Sequence, residues 1–200
     1  MSFGDRLLGW IPWVLGTLII AGIVHIVSVL AMPRLAAEDA FSRFARVTPL
    51  HKLTILTGRP DAASLVPFED PANALAVCRF DLKAGPVRLR GRLSGDGLVL
   101  MSFRNRFGTA FYSMNDRGTS RGNLNVVLVT AEQLEAIEAN DPEDDVPNEL
   151  RLSAPSLEGF IVLRALAPER SQFAEAVQSL KTIDCKLDPL PETSSEAGNS

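Results

Sequence analysis

Arg88, Arg90 and Arg92 alternate with Val87, Leu89 and Gly91. Alternate side chains on a strand share a face, so the three guanidinium groups point one way and the apolar set the other. A guanidinium grips phosphate or carboxylate through paired hydrogen bonds, so this face could bind an anionic ligand or a glycan. Arg104, Arg106, Arg117 and Arg121 follow in neighbouring strand-like segments and are expected near the same face. The ordinary antiparallel alternative is a wet face whose arginines pair with carboxylates from elsewhere in the chain. Residues 79–121 hold nine Lys/Arg against three Asp/Glu, whereas 131–200 hold five against fifteen, so the second half can supply those partners.

A second constellation is Asp81, Asp116 and Tyr112, residue types suited to a carboxylate-based catalytic centre if the fold brought them together. Other chemistry is sparse. The two histidines, His25 and His51, are far apart in the chain, and no Cys/His spacing for zinc occurs. The Gly-x-Ser-x-Gly, Walker and dinucleotide-binding patterns are absent from the sequence. Asp141, Glu143, Asp144 and Asp145 offer oxygen ligands but lack the glycine and the terminal Glu of a calcium loop, and read as a solvated acidic loop. No catalytic residue, metal or cofactor is assigned on these grounds.

Cys78 and Cys185 are the only cysteines, and both fall in apolar, strand-like segments. Neither has a neighbouring His or a Cys-x-x-Cys partner. In an exported domain they would form the one possible intrachain disulfide, between the first strand of the β meander and the C-terminal strand; in the cytoplasm they would be buried thiols. The disulfide is the expectation here.

The elements that position these residues begin with an apolar run from Leu7 to Met32 that contains no Asp, Glu, Lys or Arg. About 20 helical residues cross the roughly 30 Å hydrocarbon core of a bilayer, so the run is expected to contact the lipid bilayer as a single transmembrane helix. It exceeds the apolar core of a signal peptide and is preceded by only one arginine, Arg6, so a retained anchor is expected although Val29-Leu30-Ala31 resembles a cleavage site. Trp10 and Trp13 suit the headgroup layer, and Pro12 is expected in the first helical turn. His25 lies inside the run, where an ionisable group is costly unless neutral and hydrogen-bonded. Basic residues are more numerous after the run than before it, but a long following domain weakens that topological signal.

The chain thereby divides into a membrane anchor over 1–33, an amphipathic helical stalk over 34–49, a β-rich domain over 50–188 and a disordered Pro/Ser/Glu-rich tail over 189–200. A short strand is expected over 52–56. Period-two alternation predicts strands over 74–82, 87–93, 98–104, 109–115 and 124–130, separated by Gly-containing turns, as an antiparallel meander or sandwich. A helix over 131–140 with Thr130 as N-cap follows, then strands over 149–154 and 159–165 expected to pair as a hairpin, a helix over 169–181 and a last strand over 183–187. The expected class is α+β, mostly β. At 200 residues, 46% hydrophobic and 22% charged, the chain can form one real core, and a net charge of −4 gives no support for nucleic-acid binding.

The stretch from Ala76 to Leu93, AVCRFDLKAGPVRLRGRL, followed by LVLMSFRNRFGTAFYSMND, resembles the bacterial domain-of-unknown-function family 1254. The matching features are Phe80-Asp81-Leu82, Gly85-Pro86-Val87, and Phe111-Tyr112 with Asp116, within residues 70–120. The approach to the first strand departs from the family, with Asp70-Pro71-Ala72-Asn73 in place of an Asn-Arg-Asp-Thr-like sequence. The resemblance implies a β-rich domain in the bacterial envelope, periplasmic on a single inner-membrane anchor, with a related membrane protein as partner and no established activity. Three functions follow as expectations: a non-enzymatic protein-interaction domain, a binding module using the Arg88–Arg90–Arg92 face, and an enzyme around Asp81, Asp116 and Tyr112.

Overall fold

In the computed structural model, residues 3–35, 39–61, 65, 70–93, 98–119, 122–141 and 148–188 are described. The acidic loop over 142–147, the tail over 189–200, the Gly95-Asp96-Gly97 turn, Arg121 and stalk residues 36–38 lie outside them. The chain separates into two compact units, Met1–Asp39 and Ala40–Ser200.

The first unit is one helix, α1 (Phe3–Leu35). Its 33 residues make it about 50 Å long. The segment Gly9–Met32 has a mean hydropathy of 2.5 and buries none of itself, so it is long and apolar enough to cross a membrane. Trp10 and Trp13 are exposed at 70% and 78%. The helix starts earlier than expected, so Pro12 falls inside it rather than in its first turn. Pro12 has no N–H for the carbonyl one turn before it, a gap the helix must tolerate. Asp39 is not helical, which separates α1 from the short α2 (Ala40–Ala45). The stalk expected over 34–49 is therefore no single helix, and α2 belongs to the second unit.

The second unit is two packed sheets. One has five strands in the order β1 (Leu53–Ile55), β2 (Asn73–Asp81), β8 (Glu158–Leu166), β4 (Val99–Asn105), β5 (Ala110–Asn115). The other has four, in the order β7 (Leu150–Ser153), β6 (Asn123–Val129), β3 (Val87–Arg92), β9 (Asp184–Leu187). Helices α3 (Ala131–Glu138) and α4 (Phe173–Lys181), together with α2, complete it. This is the α+β class expected, in the sandwich form: β2 and β3 lie in different sheets, and of the four successive strands β2 to β5 only β4 and β5 pair with each other.

Alternation explains the core between the sheets. Inward residues of the larger sheet include Ala76, Cys78, Phe80, Met101, Phe103 and Leu163; Val87, Leu89, Val126, Leu128 and Cys185 face them from the smaller one. β2 is buried on both faces, from Ala74 to Phe80 without interruption. Its outer side is covered by α2, where Phe41, Phe44 and Val47 pack on Leu75, Val77 and Phe160. Arg79 is buried beneath α2, donating to the Thr48 carbonyl at 3.0 Å with its guanidinium 4.1 Å from the Phe41 ring. Gly85 supplies a φ of 132° where the chain leaves one sheet, and Pro86 precedes the first residue of β3. Thr130 caps α3 through a reciprocal pair with Gln133.

The expected β7–β8 hairpin does not form. β7 pairs parallel with β6, and β8 inserts between β2 and β4 of the other sheet. The helix α3 between β6 and β7 supplies the crossover that a parallel pair needs.

Candidate functional site

The arginine-bearing strand β3 alternates as expected, with Val87 and Leu89 buried while Arg88, Arg90 and Arg92 face outward. What surrounds each arginine differs. β9 lies on one side of β3 and β6 on the other, with β7 beyond β6. Arg88 donates through Nε to Asp188 at 2.6 Å and through Nη1 to Asn125 at 3.1 Å, and is ion-paired with Glu149. Glu149 also accepts from Arg151 Nε at 2.8 Å, and Arg151 reaches Asp141 at 2.9 Å. The result is an alternating chain, Asp188–Arg88–Glu149–Arg151–Asp141, across the outer side of the smaller sheet.

Burial alone would push Glu149 up, but hydrogen bonds from Arg88 and Arg151 hold its carboxyl below the ordinary value. For Arg88 burial acts downward and is outweighed by its bonds to Glu149 and Asp188, so its pKa is raised. Arg151 is raised, chiefly by Asp141. Asp141 is lowered, chiefly by Arg151. Arg88 is thus engaged within the fold by carboxylates of the acidic second half. Arg90 touches Asn125 at 3.4 Å and is exposed, as is Arg92. Beside Arg90 a cleft of about 490 Å³ is lined by Asn125, Asn148, Glu149, Thr119 and Met114.

Of the other arginines expected near this face, Arg104 and Arg106 are not there, and Arg121 lies outside the described residues. Arg104 lies on β4 of the five-stranded sheet, and Arg106 follows it, paired with Glu158 at 3.3 Å. Arg117 sits in the 3-10 turn Asp116–Gly118, whose Gly118 lines the cleft beside Arg90. Spacing along the chain could not show that β3 and β4 belong to different sheets.

Asp81, Asp116 and Tyr112 do not converge. The register runs Asp81↔Glu158, then Gly159↔Asn105, at one end of the larger sheet. Asp116 follows Asn115, which pairs with Leu100 at the other end. Asp81 instead accepts from the Lys83 N–H at 3.0 Å, closing a local turn. Tyr112 packs on Phe103 with ring centroids 5.9 Å apart. The expected carboxylate centre is corrected accordingly. His51, at a φ of 54°, places Nε2 3.1 Å from the Asp81 backbone N–H and so ties the segment before β1 to the end of β2.

Cys78 on β2 and Cys185 on β9 are joined by a disulfide with Cα atoms 6.5 Å apart, linking the two sheets through the core. Among the described residues no group of three His, Cys, Asp or Glu side chains is arranged to hold a metal ion.

A second concavity, about 580 Å³, lies on the outer face of the larger sheet. Leu100, Ser102, Arg104, Ser113, Asn115 and Arg164 line it, with Val162 in its floor. Sequence reasoning missed it because its residues come from three strands; the available signal was the outward, even-numbered positions of β4 and β8.

No family model matches the chain, and no curated protein does. Among solved structures, the VPA0106 protein from Vibrio parahaemolyticus is similar at a TM-score of 0.52 with 12% identity, over 80% of this chain and 40% of that one. A putative uncharacterized protein from Burkholderia cenocepacia aligns at a TM-score of 0.45 and 12% identity, over 72% of this chain and 36% of that one. The chain spans well under half the length of either protein, and the first likeness is one of fold alone.

Proposed function

We propose that the protein is a non-enzymatic interaction domain held at the inner membrane by α1, with its sandwich on the periplasmic side and its N-terminus in the cytoplasm. The observation that carries the proposal is the pair formed by an entirely uncovered apolar helix and a core disulfide between the sheets. A disulfide of this kind persists in oxidising compartments. The separation of Asp81 from Asp116 removes the one catalytic constellation suggested by the sequence. Membership in family 1254 is part of the proposal and supplies the related membrane protein as partner.

Strand β5 supports an interaction role. It is an edge of the larger sheet, no residue of it is fully buried, and its sequence AFYSMN carries no charge. Edges are ordinarily protected by charged side chains or proline, and an unprotected one can receive a strand from a partner.

The test combines topology and thiols. A reporter active only in the cytoplasm, fused after Lys186, should be silent, and unreduced denatured protein should show no titratable thiol. A strong cytoplasmic signal with two free thiols would overturn the periplasmic assignment. Intact-mass measurement of membrane-extracted protein should give a chain beginning near Met1; one starting at Met32 would make the apolar run a cleaved signal. Crosslinking should capture one stoichiometric membrane protein, and Tyr112→Pro, which spoils the β5 edge, should reduce that capture.

A further inference from the structure

The geometry points to the outer groove of the larger sheet as a binding site for an elongated small molecule with an anionic group, carboxylate or phosphate, at each end of an uncharged body. The assignment goes beyond the membrane and partner proposals and does not rest on them.

The groove is built from three cross-strand rows. Arg164, Leu100 and Asn115 lie opposite one another on β8, β4 and β5. Val162, Ser102 and Ser113 form the next row, with the two serine hydroxyls 3.3 Å apart. Phe160, Arg104 and Ala110 form the third. Arginines therefore stand at the two ends of the groove, on backbone positions four residues or roughly 13 Å of strand apart, a span that a ligand with two anionic ends can bridge. Between them the surface is aliphatic with a hydroxyl pair. No Asp or Glu is among the described lining residues.

Both ends have unused donors. Arg104 gives Nη1 to the Gly108 carbonyl at 2.8 Å, while its Nε is buried with no hydrogen-bond partner. A buried donor left unsatisfied in this way is costly unless something fills it. Arg164 is exposed, with no ion pair or hydrogen bond among the described residues, and the Asn115 side chain makes no cap bond. The neighbouring half of the same face is closed by α2, so the open half is a groove with a defined end, not a uniformly bare sheet. Two cations with no carboxylate between them complement a dianion, and the apolar middle complements an uncharged chain.

The test uses the full chain in uncharged bilayer discs and isothermal titration. The probes are dodecanedioate, the bisphosphate of dodecanediol, the neutral diol, the monoacid dodecanoate and the short diacid succinate. Dodecanedioate or the bisphosphate should bind saturably, and the preferred one identifies the anion. Affinity for the diol, dodecanoate and succinate should be about tenfold lower or less measurable, because each forfeits a charge-assisted contact at one or both ends. Arg164→Ala, at an exposed position, should weaken the diacid about tenfold, and Lys186→Ala, at an exposed position on the other sheet, should leave it unchanged. Arg104→Lys keeps a charge but lacks the Nε donor and should weaken it also. Equal binding of dodecanoate, of the diol or of succinate would overturn the two-ended assignment. So would an unaltered affinity in Arg164→Ala, no binding of either dianion, or binding of an acidic peptide alone.

Discussion

Outward-facing arginines occur on both sheets, and their surroundings make them different objects. On the smaller sheet Arg88 and Arg151 are three-quarters or more covered and alternate with Asp188, Glu149 and Asp141. On the larger sheet Arg104 and Arg164 overlook a groove with no carboxylate in its described lining. Residue type and strand alternation are the same in the two places. The difference is whether an acidic side chain arrives from a distant part of the chain. An arginine row therefore indicates a ligand only where the fold leaves it without internal anions.

The two sheets differ in the same sense in how they are held. The larger rests on the continuous burial of β2, whereas the small outer strands of the other depend on point ties. Replacing both cysteines, Cys78→Ala with Cys185→Ala, attacks the strongest tie. In the chain-entropy model it should cost up to about 5 kcal/mol, seen as a lower denaturation midpoint, with β9 amides losing exchange protection first. Uniform loss of protection across both sheets would break the contrast.

Glu149→Ala removes the hub of the charged chain. Its side chain is 14% exposed, so the expected loss lies between those of surface and buried pairs, about 2 kcal/mol by urea unfolding. The pH dependence sharpens the point. Glu149 and Asp141 are held below their ordinary 4.5 and 3.8, so their contribution is complete above those values and is lost as pH falls through the depressed ones. Wild type should weaken on acidification below pH 4.5 more steeply than Glu149→Gln. Parallel pH profiles would show that the chain of charges carries no stability.

Thr130→Ala should cost about 1 kcal/mol by removing the cap of α3 and loosening the β6–β7 crossover. Arg164→Ala on the larger sheet is the smallest expected effect, within about 0.5 kcal/mol, because that exposed guanidinium makes no ion pair or hydrogen bond among the described residues. A large destabilisation there would place Arg164 in the structural class with Arg88.

Local features were readable in the sequence for local reasons. Alternation located the strands, Gly85-Pro86 marked the exit from β2, Thr130 announced α3, and two strand-borne cysteines suggested their bond. Sheet membership was not readable, because period two names the buried face of a strand but not its neighbour. β7 and β8 looked like a hairpin through proximity alone, although the helix before β7 already favoured a parallel return to β6. The site was legible to the extent that the acidic half was expected to meet the basic half. Which arginine would be satisfied was not, since Arg88 meets Glu149 and Asp188 across 61 and 100 residues of chain.

The cross-link between Cys78 and Cys185 also decides what a protease can accomplish. The bond closes a ring of chain 107 residues around, and that ring contains β3 to β8 with every turn between them. A single cut in any of those turns opens the ring without releasing a piece. The C-terminal fragment stays covalently attached to the segment bearing α1, and so to whatever surface that helix occupies. Nicked protein would run as one band on a non-reducing gel and as two after reduction. Shedding of the β-rich domain by one cut requires a site before Cys78, in the stretch that links α1 to β2.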